Sequence, residues 1–229
     1  MSAADDQKRA AGEAAAALAQ PGMVVGLGTG STAAWFVKAL AARGLPGLRC
    51  VPTSEKTADL ARELGLTLST LEDTPRIDLT IDGADEVGPG LALIKGGGAA
   101  LLREKLVWEA SARCIVIADA AKVVPVLGTF PLPIEVVAFG HKTTANRIAD
   151  VLIDHDINQP ARVRQADRGL VRTDGGNLIY DAGCKAIHDP VRLADDLKLI
   201  TGVVEHGLFL DLADLAIIGT DDGVEERLP

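Results

Sequence analysis

Aromatic side chains are the scarcest large group in this 229-residue sequence: four Phe, two Trp and one Tyr, 3 % of the chain. The core must therefore be built from Ala, Val, Leu and Ile; 48 % hydrophobic and 24 % charged residues suit a soluble globular protein of one large or two smaller domains. Long hydrophobic runs are absent: none approaches the roughly 18 residues of a membrane span. The opening residues MSAADDQKRA are too polar for a secretory signal. Cysteine is rare, and Cys50, Cys114 and Cys184 are odd in number, widely separated and in no CxxC pairing. That excludes a disulfide framework or zinc knuckle and predicts buried free thiols in a reducing cytoplasm. No Lys/Arg run relieves the net charge of −9, which argues against nucleic-acid binding. An anionic ligand gains no long-range attraction either, but screening beyond about 8 Å leaves the decision to local cations. Internal repeats and low-complexity segments are also missing.

What is present is an alternation of short apolar runs and helical patterns. A helix is predicted over 5–19, stopped by Pro21-Gly22, then a strand over 23–26 and a glycine-rich turn, Gly26-Leu27-Gly28-Thr29-Gly30-Ser31-Thr32, opening a helix that runs through Leu40. Strand 48–51, helix 55–64 and a further strand at 66–69 follow. The next strand, marked by Ile77, Leu79 and Ile81, alternates as if buried on one face, and another runs over 114–118. This order predicts a Rossmann-like, mostly parallel sheet with helices on both faces. Near Val126 the pattern changes, with Pro125, Pro131 and Pro133 around Gly128. Strand 134–139, helix 143–154, strands 161–165 and 178–181, helix 190–199 and strand 202–207 then read as βαββαβ, a smaller α+β unit of split-βαβ, ferredoxin-like type. Leu215–Gly219 returns to the first sheet. The expected domains are 1–127 with 208–229, and 128–207.

The stretch RIDLTIDGADEVGPGLALIKGGGAALLREKLVWE, residues 76–109, concentrates the polar chemistry. Its strand stops at three carboxylates, Asp82, Asp85 and Glu86, and its second apolar run ends on Lys95 and three glycines. The helix that follows, from about Ala99, surrounds Glu104 with Ala100, Leu101, Val107 and Trp108, and Arg103 with Ala99, Ala100, Leu106 and Val107. A carboxylate in apolar company is pushed up in pKa, the condition a general base near neutral pH needs. Stabilising ion pairs are the plainer reading of Arg103, Glu104 and Lys105.

Ligands of open α/β sheets bind beyond the carboxyl ends of the strands. Four such ends are furnished here: Gly28–Thr32, Asp82–Asp85, Lys95–Gly98 and Asp119–Lys122. Gly26–Thr32 suits a phosphate at a helix N-terminus, with Thr29, Ser31 and Thr32 as hydroxyl donors, and is no Walker A loop. A dinucleotide fingerprint wants an acid after the second strand, which instead reads Val51-Pro52-Thr53-Ser54. A structural turn remains open for this loop, and ordinary turn chemistry or a carboxylate-held magnesium ion for Asp82 and Asp85. None of the four histidines (His141, His155, His188, His206) lies near them in sequence. Lys95 is read either as a solvated lysine at a flexible turn or, because three consecutive glycines are costly, as part of a close-approach loop.

The blocks GLGTGSTA (26–33), DGADE (82–86), IKGGGAALLREK (94–105) and ADAAK (118–122) resemble the signature of type A ribose-5-phosphate isomerases. GTFPLPIEV, TDGGN (173–177) and IIGTDDGV (217–224) extend the likeness along nearly the whole chain. The resemblance implies interconversion of ribose 5-phosphate and ribulose 5-phosphate in the non-oxidative pentose phosphate pathway, with no metal or organic cofactor. It implies Glu104 as the base between C1 and C2, Lys95 with the backbone of Gly96, Gly97 and Gly98 as oxyanion stabilisers, and Asp82 and Asp85 for hydroxyl protons and ring opening. Thr29, Gly30, Ser31 and Thr32 would hold substrate, with Gly83, Ala84, Lys122 and, near the phosphate, Lys8. A homo-oligomer, dimer or tetramer, is the expected assembly, with no nucleic-acid or membrane partner. Three readings compete: a sugar-phosphate sensor, a coenzyme A transferase with Glu104 as nucleophile, and an NAD-dependent dehydrogenase.

Overall fold

The computed structural model describes residues 2–167 and 169–229. Helix α1 (Ala3–Ala16) opens on a capping box in which Ser2 and Asp5 satisfy each other's backbone N–H. The helix ends earlier than the sequence predicts. Residues 17–19 wind into a tighter turn through Leu18 N–H to Ala15 O and Ala19 N–H to Ala16 O, and the Arg43 guanidinium takes the carbonyls of Ala16 and Ala19. Next come β1 (Val24–Leu27), α2 (Ser31–Ala42), β2 (Arg49–Pro52), α3 (Glu55–Glu63), β3 (Leu79–Gly83), β4 (Glu86–Val87), β5 (Leu93–Ile94), α4 (Leu101–Glu109) and β6 (Cys114–Asp119). The chain continues with β7 (Leu132–Val136), α5 (His141–Asp154), β8 (Arg162–Val163), β9 (Gln165–Ala166), β10 (Gly169–Leu170), β11 (Leu178–Ala182), α6 (Pro190–Lys198) and β12 (Val203–His206). It closes with β13 (Leu208–Phe209), β14 (Leu215–Thr220) and β15 (Gly223–Arg227).

The large sheet has the order β15-β14-β6-β3-β1-β2, parallel except at β15. Ile115 and Ile117 of β6 point to the core shared with Ala11 and Ala15 of α1 and with Phe36, Val37 and Leu40 of α2. Cys114, Val116 and Ala118 point the other way, to Leu101 and Trp108 of α4. With both faces covered, Leu79, Thr80, Ile81 and Asp82 are all buried, so the one-faced strand read from the alternation at 77–81 is corrected. Leu66–Ser69 is not a full strand: it meets β2 through a single bridge, Cys50 to Leu68. The edge strand β15, whose side chains are mostly exposed and charged, carries no core-facing alternation by which the sequence would reveal it.

A second sheet, β12-β7-β11-β8, is antiparallel and has the strand order of the ferredoxin-like arrangement. The expected strand over 161–165 is interrupted at Arg164, where β8 gives way to the β9–β10 hairpin. Leu132, Ile134 and Val136 face α5 and α6 through Ile148, Leu152, Leu193 and Leu197. The opposite face carries Ile179, which joins Trp108 and Leu101 of α4 in a third core. Helix α4 is thus wedged between two sheets, which explains why polar residues on it are buried. The three thiols, all free, are distributed one to each of these cores, and burial pushes each up to about 12.

One buried ion pair crosses the wedge. Lys105 of α4 donates to Glu205 Oε1 at 2.8 Å and to the carbonyls of His206 and Leu208 at 3.0 Å each, using all three ammonium protons. Burial alone would raise Glu205, but the Lys105 cation and its hydrogen bonds hold the carboxyl at about 2. Lys105→Met takes a donor from two buried carbonyls and leaves the Glu205 carboxylate only Lys198 Nζ and the His206 N–H. The expected loss is about 2–4 kcal/mol of unfolding free energy, read by urea denaturation; a change under about 0.5 kcal/mol would show that the pair does not hold α4 in place.

Candidate active site

Strands β1 and β3 lie side by side, but the chain leaves β1 toward β2 on the far side, so their carboxyl ends flank a switch point in strand order. The ends approach closely. A Cβ on Gly28 would lie 2.2 Å from Asp82 Oδ1 and 2.4 Å from Asp82 Cα, so only glycine fits there. In return, Asp82 Oδ1 accepts the N–H groups of Thr29 at 3.0 Å and Gly83 at 2.7 Å. Strand β5 delivers Lys95, whose N–H is tied to Gly207 O at 2.9 Å. The next residue, Gly96, takes a φ of +105°, and a turn closed by Ala99 N–H to Gly96 O leads into α4.

Lys95 occupies the centre. Its ammonium donates to Gly83 O at 2.5 Å and lies 3.0 Å from Asp82 Oδ2 and 3.5 Å from Glu104 Oε1. Trp108 and Phe209, two of the few aromatic rings in the chain, lie within 5.5 Å of the same nitrogen and pack edge to face on each other. All three ionisable side chains are almost completely buried. Desolvation disfavours the ammonium, yet Asp82 and Glu104 outweigh it and Lys95 is raised, so it stays charged. Desolvation likewise raises Asp82, against the pull of Lys95. Glu104 is pushed up to about 8, by burial first, with Lys95 opposing and the negative charges of Asp82 and Asp85 adding to the rise. Its second oxygen, Oε2, has no hydrogen-bond partner among the described residues.

These groups open on a cavity of about 120 Å³ lined by Lys8, Thr29, Gly30, Ser31, Thr32, Gly83, Ala84, Asp85, Lys95, Gly96, Gly97, Gly98, Glu104 and Lys122. Of the side chains nominated from the sequence, only Asp82 is missing from the wall: it sits behind Lys95, 3.0 Å from the ammonium. Thr29 differs from expectation in another way. Its hydroxyl turns from the cavity to Thr53 (2.7 Å), Ser54 (2.8 Å) and Thr57 (3.2 Å), and Thr53 and Thr57 anchor in turn to the carbonyls of Leu27 and Gly28. This buried hydroxyl cluster braces the glycine loop; its only trace in the sequence is the density of Ser and Thr in PTSEKT. Arg103, expected in apolar company, is half-buried and bridges Glu55 (2.9 Å) and Asp174 (3.3 Å). The TDGGN segment has a structural task, since Thr173 and Asn177 donate to the buried Glu135 carboxylate. A larger cavity of about 510 Å³ lies between β2, α3 and α4, but Glu104 and Lys95 do not line it, and it brings together no comparable set of buried charges. Among the described residues no cluster of three or more His, Cys, Asp or Glu side chains is placed to hold a metal ion.

The site can remove a proton from carbon and stabilise the oxyanion that results: a desolvated carboxylate with a free lone pair faces a permanent cation. The N-terminus of α2, with Lys8 and Lys122, gives the same cavity an anion-binding end.

Comparison with known proteins agrees with this chemistry. The family described as ribose 5-phosphate isomerase A (phosphoriboisomerase A) matches residues 49–223. The ribose-5-phosphate isomerase A of Caulobacter vibrioides (strain NA1000 / CB15N) is 69 % identical over 226 residues, 99 % of both chains. The ribose 5-phosphate isomerase A structure from Methanocaldococcus jannaschii superposes with a TM-score of 0.90 at 36 % identity, covering 98 % of this chain and 99 % of that one. A D-ribose-5-phosphate isomerase in complex with phospho-erythronic acid superposes with a TM-score of 0.92 at 38 % identity over the full length of both.

The raised Glu104 also predicts a pH-dependent stability. An unfolded glutamate titrates near 4.5 and the native one near 8, so between these values the native state holds a proton the unfolded chain has released. Raising the pH through this window therefore weakens folding. In urea unfolding at pH 5 and pH 8, the parent should lose stability relative to Glu104→Gln on going to pH 8. A difference between the two proteins that does not change with pH would contradict a raised Glu104.

Proposed function

The chain belongs to the ribose 5-phosphate isomerase A family, and on that premise we propose how its residues divide the interconversion of D-ribose 5-phosphate and D-ribulose 5-phosphate. The reaction is an aldose–ketose isomerisation through an enediolate. The observation that carries the assignment is the unpartnered, buried Oε2 of Glu104 on a carboxyl group 3.5 Å from the Lys95 ammonium.

Starting from the open-chain aldose, Glu104 takes the proton from C2, the C2–H electron pair forms the C1=C2 double bond, and the carbonyl electrons move to O1. As Glu104 gains the proton it loses its charge and its hold on Lys95, whose ammonium then serves the oxyanion. The compensation thus passes from one anion to another without a charge entering or leaving the site. Asp85, half-buried on the wall, moves the hydroxyl proton between O2 and O1 and serves ring opening. Asp82 acts from behind by orienting Lys95. Return of the proton from Glu104 to C1 yields the ketose. The phosphate lies at the other end, on the N–H groups that begin α2 at Ser31 and Thr32, between Lys8 and Lys122.

We further propose that residues 1–127 with 208–229 form one domain and 128–207 the other, as the strands of the two large sheets divide. A homo-oligomer, dimer or tetramer, is supported by the two most exposed large apolar side chains among the described residues, Phe139 (96 %) and Leu199 (83 %), which both lie in 128–207. Three buried free thiols suit a cytoplasmic location.

Glu104→Gln should retain the fold by circular dichroism and lose about 10²–10⁴-fold in turnover of ribose 5-phosphate. Near-parental turnover would move the base to an aspartate. Because the electrophile is the Lys95 ammonium, the parental rate should be unchanged by EDTA in the same assay; a loss restored by Mg²⁺ would replace Lys95 with a metal in that role.

A further inference from the structure

Arg164 lies where the second sheet meets the glycine turn. Its backbone is pinned on both sides, N–H to Ile179 O at 2.7 Å and carbonyl from Val171 N–H at 3.0 Å. The guanidinium forks onto Asp181, Nε at 2.8 Å and one terminal nitrogen at 2.5 Å. The other terminal nitrogen donates to the carbonyls of Gly96 and Gly97, at 3.0 Å each. Those carbonyls share peptide groups with the N–H of Gly97 and of Gly98. Gly97 N–H donates to Asp85 Oδ2 at 2.8 Å. Gly98 lines the cavity, and its N–H has no protein partner among the described residues. A continuous chain therefore runs from a fixed cation through one peptide group to Asp85, and a parallel branch ends on an amide at the cavity. A cation on a carbonyl polarises the amide and strengthens its N–H as a donor.

We propose that Arg164, locked by Asp181, is a positioning residue for the isomerisation: it fixes and polarises the Gly96–Gly98 peptides so that Gly97 N–H orients Asp85 and Gly98 N–H meets a substrate oxygen. This rests on the reading of Asp85 and the glycine turn as substrate-facing groups. The binding energy of the phosphate end is untouched by it, so the effect belongs in kcat rather than KM.

The test compares Arg164→Met, Arg164→Lys, Asp181→Asn, Asp85→Asn and the Arg164→Met/Asp85→Asn double variant in the full chain, with ribose 5-phosphate as substrate. Arg164→Met should lower kcat roughly 10–100-fold, the scale for removing a group that orients another, with KM changed less than about threefold. Arg164→Lys should recover part of the loss. The double variant should fall by clearly less than the product of the two single losses, because both act on one chain of hydrogen bonds; a merely structural arginine would give a multiplicative loss. Impaired Asp85→Asn beside parental kcat in Arg164→Met, a loss confined to KM, or multiplicative losses overturn the proposal alone. Near-parental Asp85→Asn overturns the site reading and the proposal with it. Should Arg164→Met fail to fold, Asp181→Asn decides: it loosens the guanidinium without removing it, and must show a milder kcat loss, parental kcat overturning the proposal.

Discussion

A single ammonium group, that of Lys95, makes the rest of the site affordable. Two carboxylates, Asp82 and Glu104, are almost completely buried beside it. Either alone, ionised and desolvated, would cost several kcal/mol. One cation cannot neutralise both, so burial raises Asp82 and Glu104 while their charges hold Lys95 protonated. The surrounding geometry follows from that requirement. Gly28 lets β1 close on Asp82, Gly83 supplies a carbonyl to the ammonium, and Trp108 and Phe209 exclude water while offering their ring faces to the cation.

The second sheet completes the enclosure. Without it α4 would cover only the parallel sheet, Lys105 would lose its buried partner Glu205 and Trp108 its neighbour Ile179. Its helix-free face meets α4 with Ile179 from β11, the Glu205–Lys105 pair from β12 and the buried Glu135 from β7. In the proposed assignment a globally acidic chain handles an anionic substrate because its useful cations are held locally: Lys95 at the reacting end, Lys8 and Lys122 at the other.

Much of this was legible in the sequence, and what was not has physical reasons. Apolar neighbours at helical spacing marked Glu104 as buried, and the costly triple glycine after Lys95 marked a close approach. The same neighbour argument failed for Arg103 because a long side chain escapes along the helix surface to Glu55 and Asp174, as a short carboxylate cannot. Thr29 was legible as a site residue but not in its orientation, which depends on Thr53, Ser54 and Thr57 arriving from the next strand end. Asp82 and Asp85 are alike in sequence, and only the backbone path separates the one beneath Lys95 from the one on the wall. Arg164 left no signal at all, since its partners, Gly96 and Gly97, are backbone carbonyls 67 residues or more away. Strand β15 was missed for the opposite reason, a surface composition without any core-facing period.

Each of the three largest hydrophobic cores carries one thiol, Cys50 in the core that also holds α1 and α2, Cys114 beside Trp108 and Cys184 under α5 and α6, all sealed and protonated in the native chain. Only a thiolate reaches an alkylating reagent at a useful rate, and here it forms only when its own core opens. The molecule therefore contains three built-in clocks: the order in which these sulfurs become modified, mapped by mass, reports which layer of the structure breathes first.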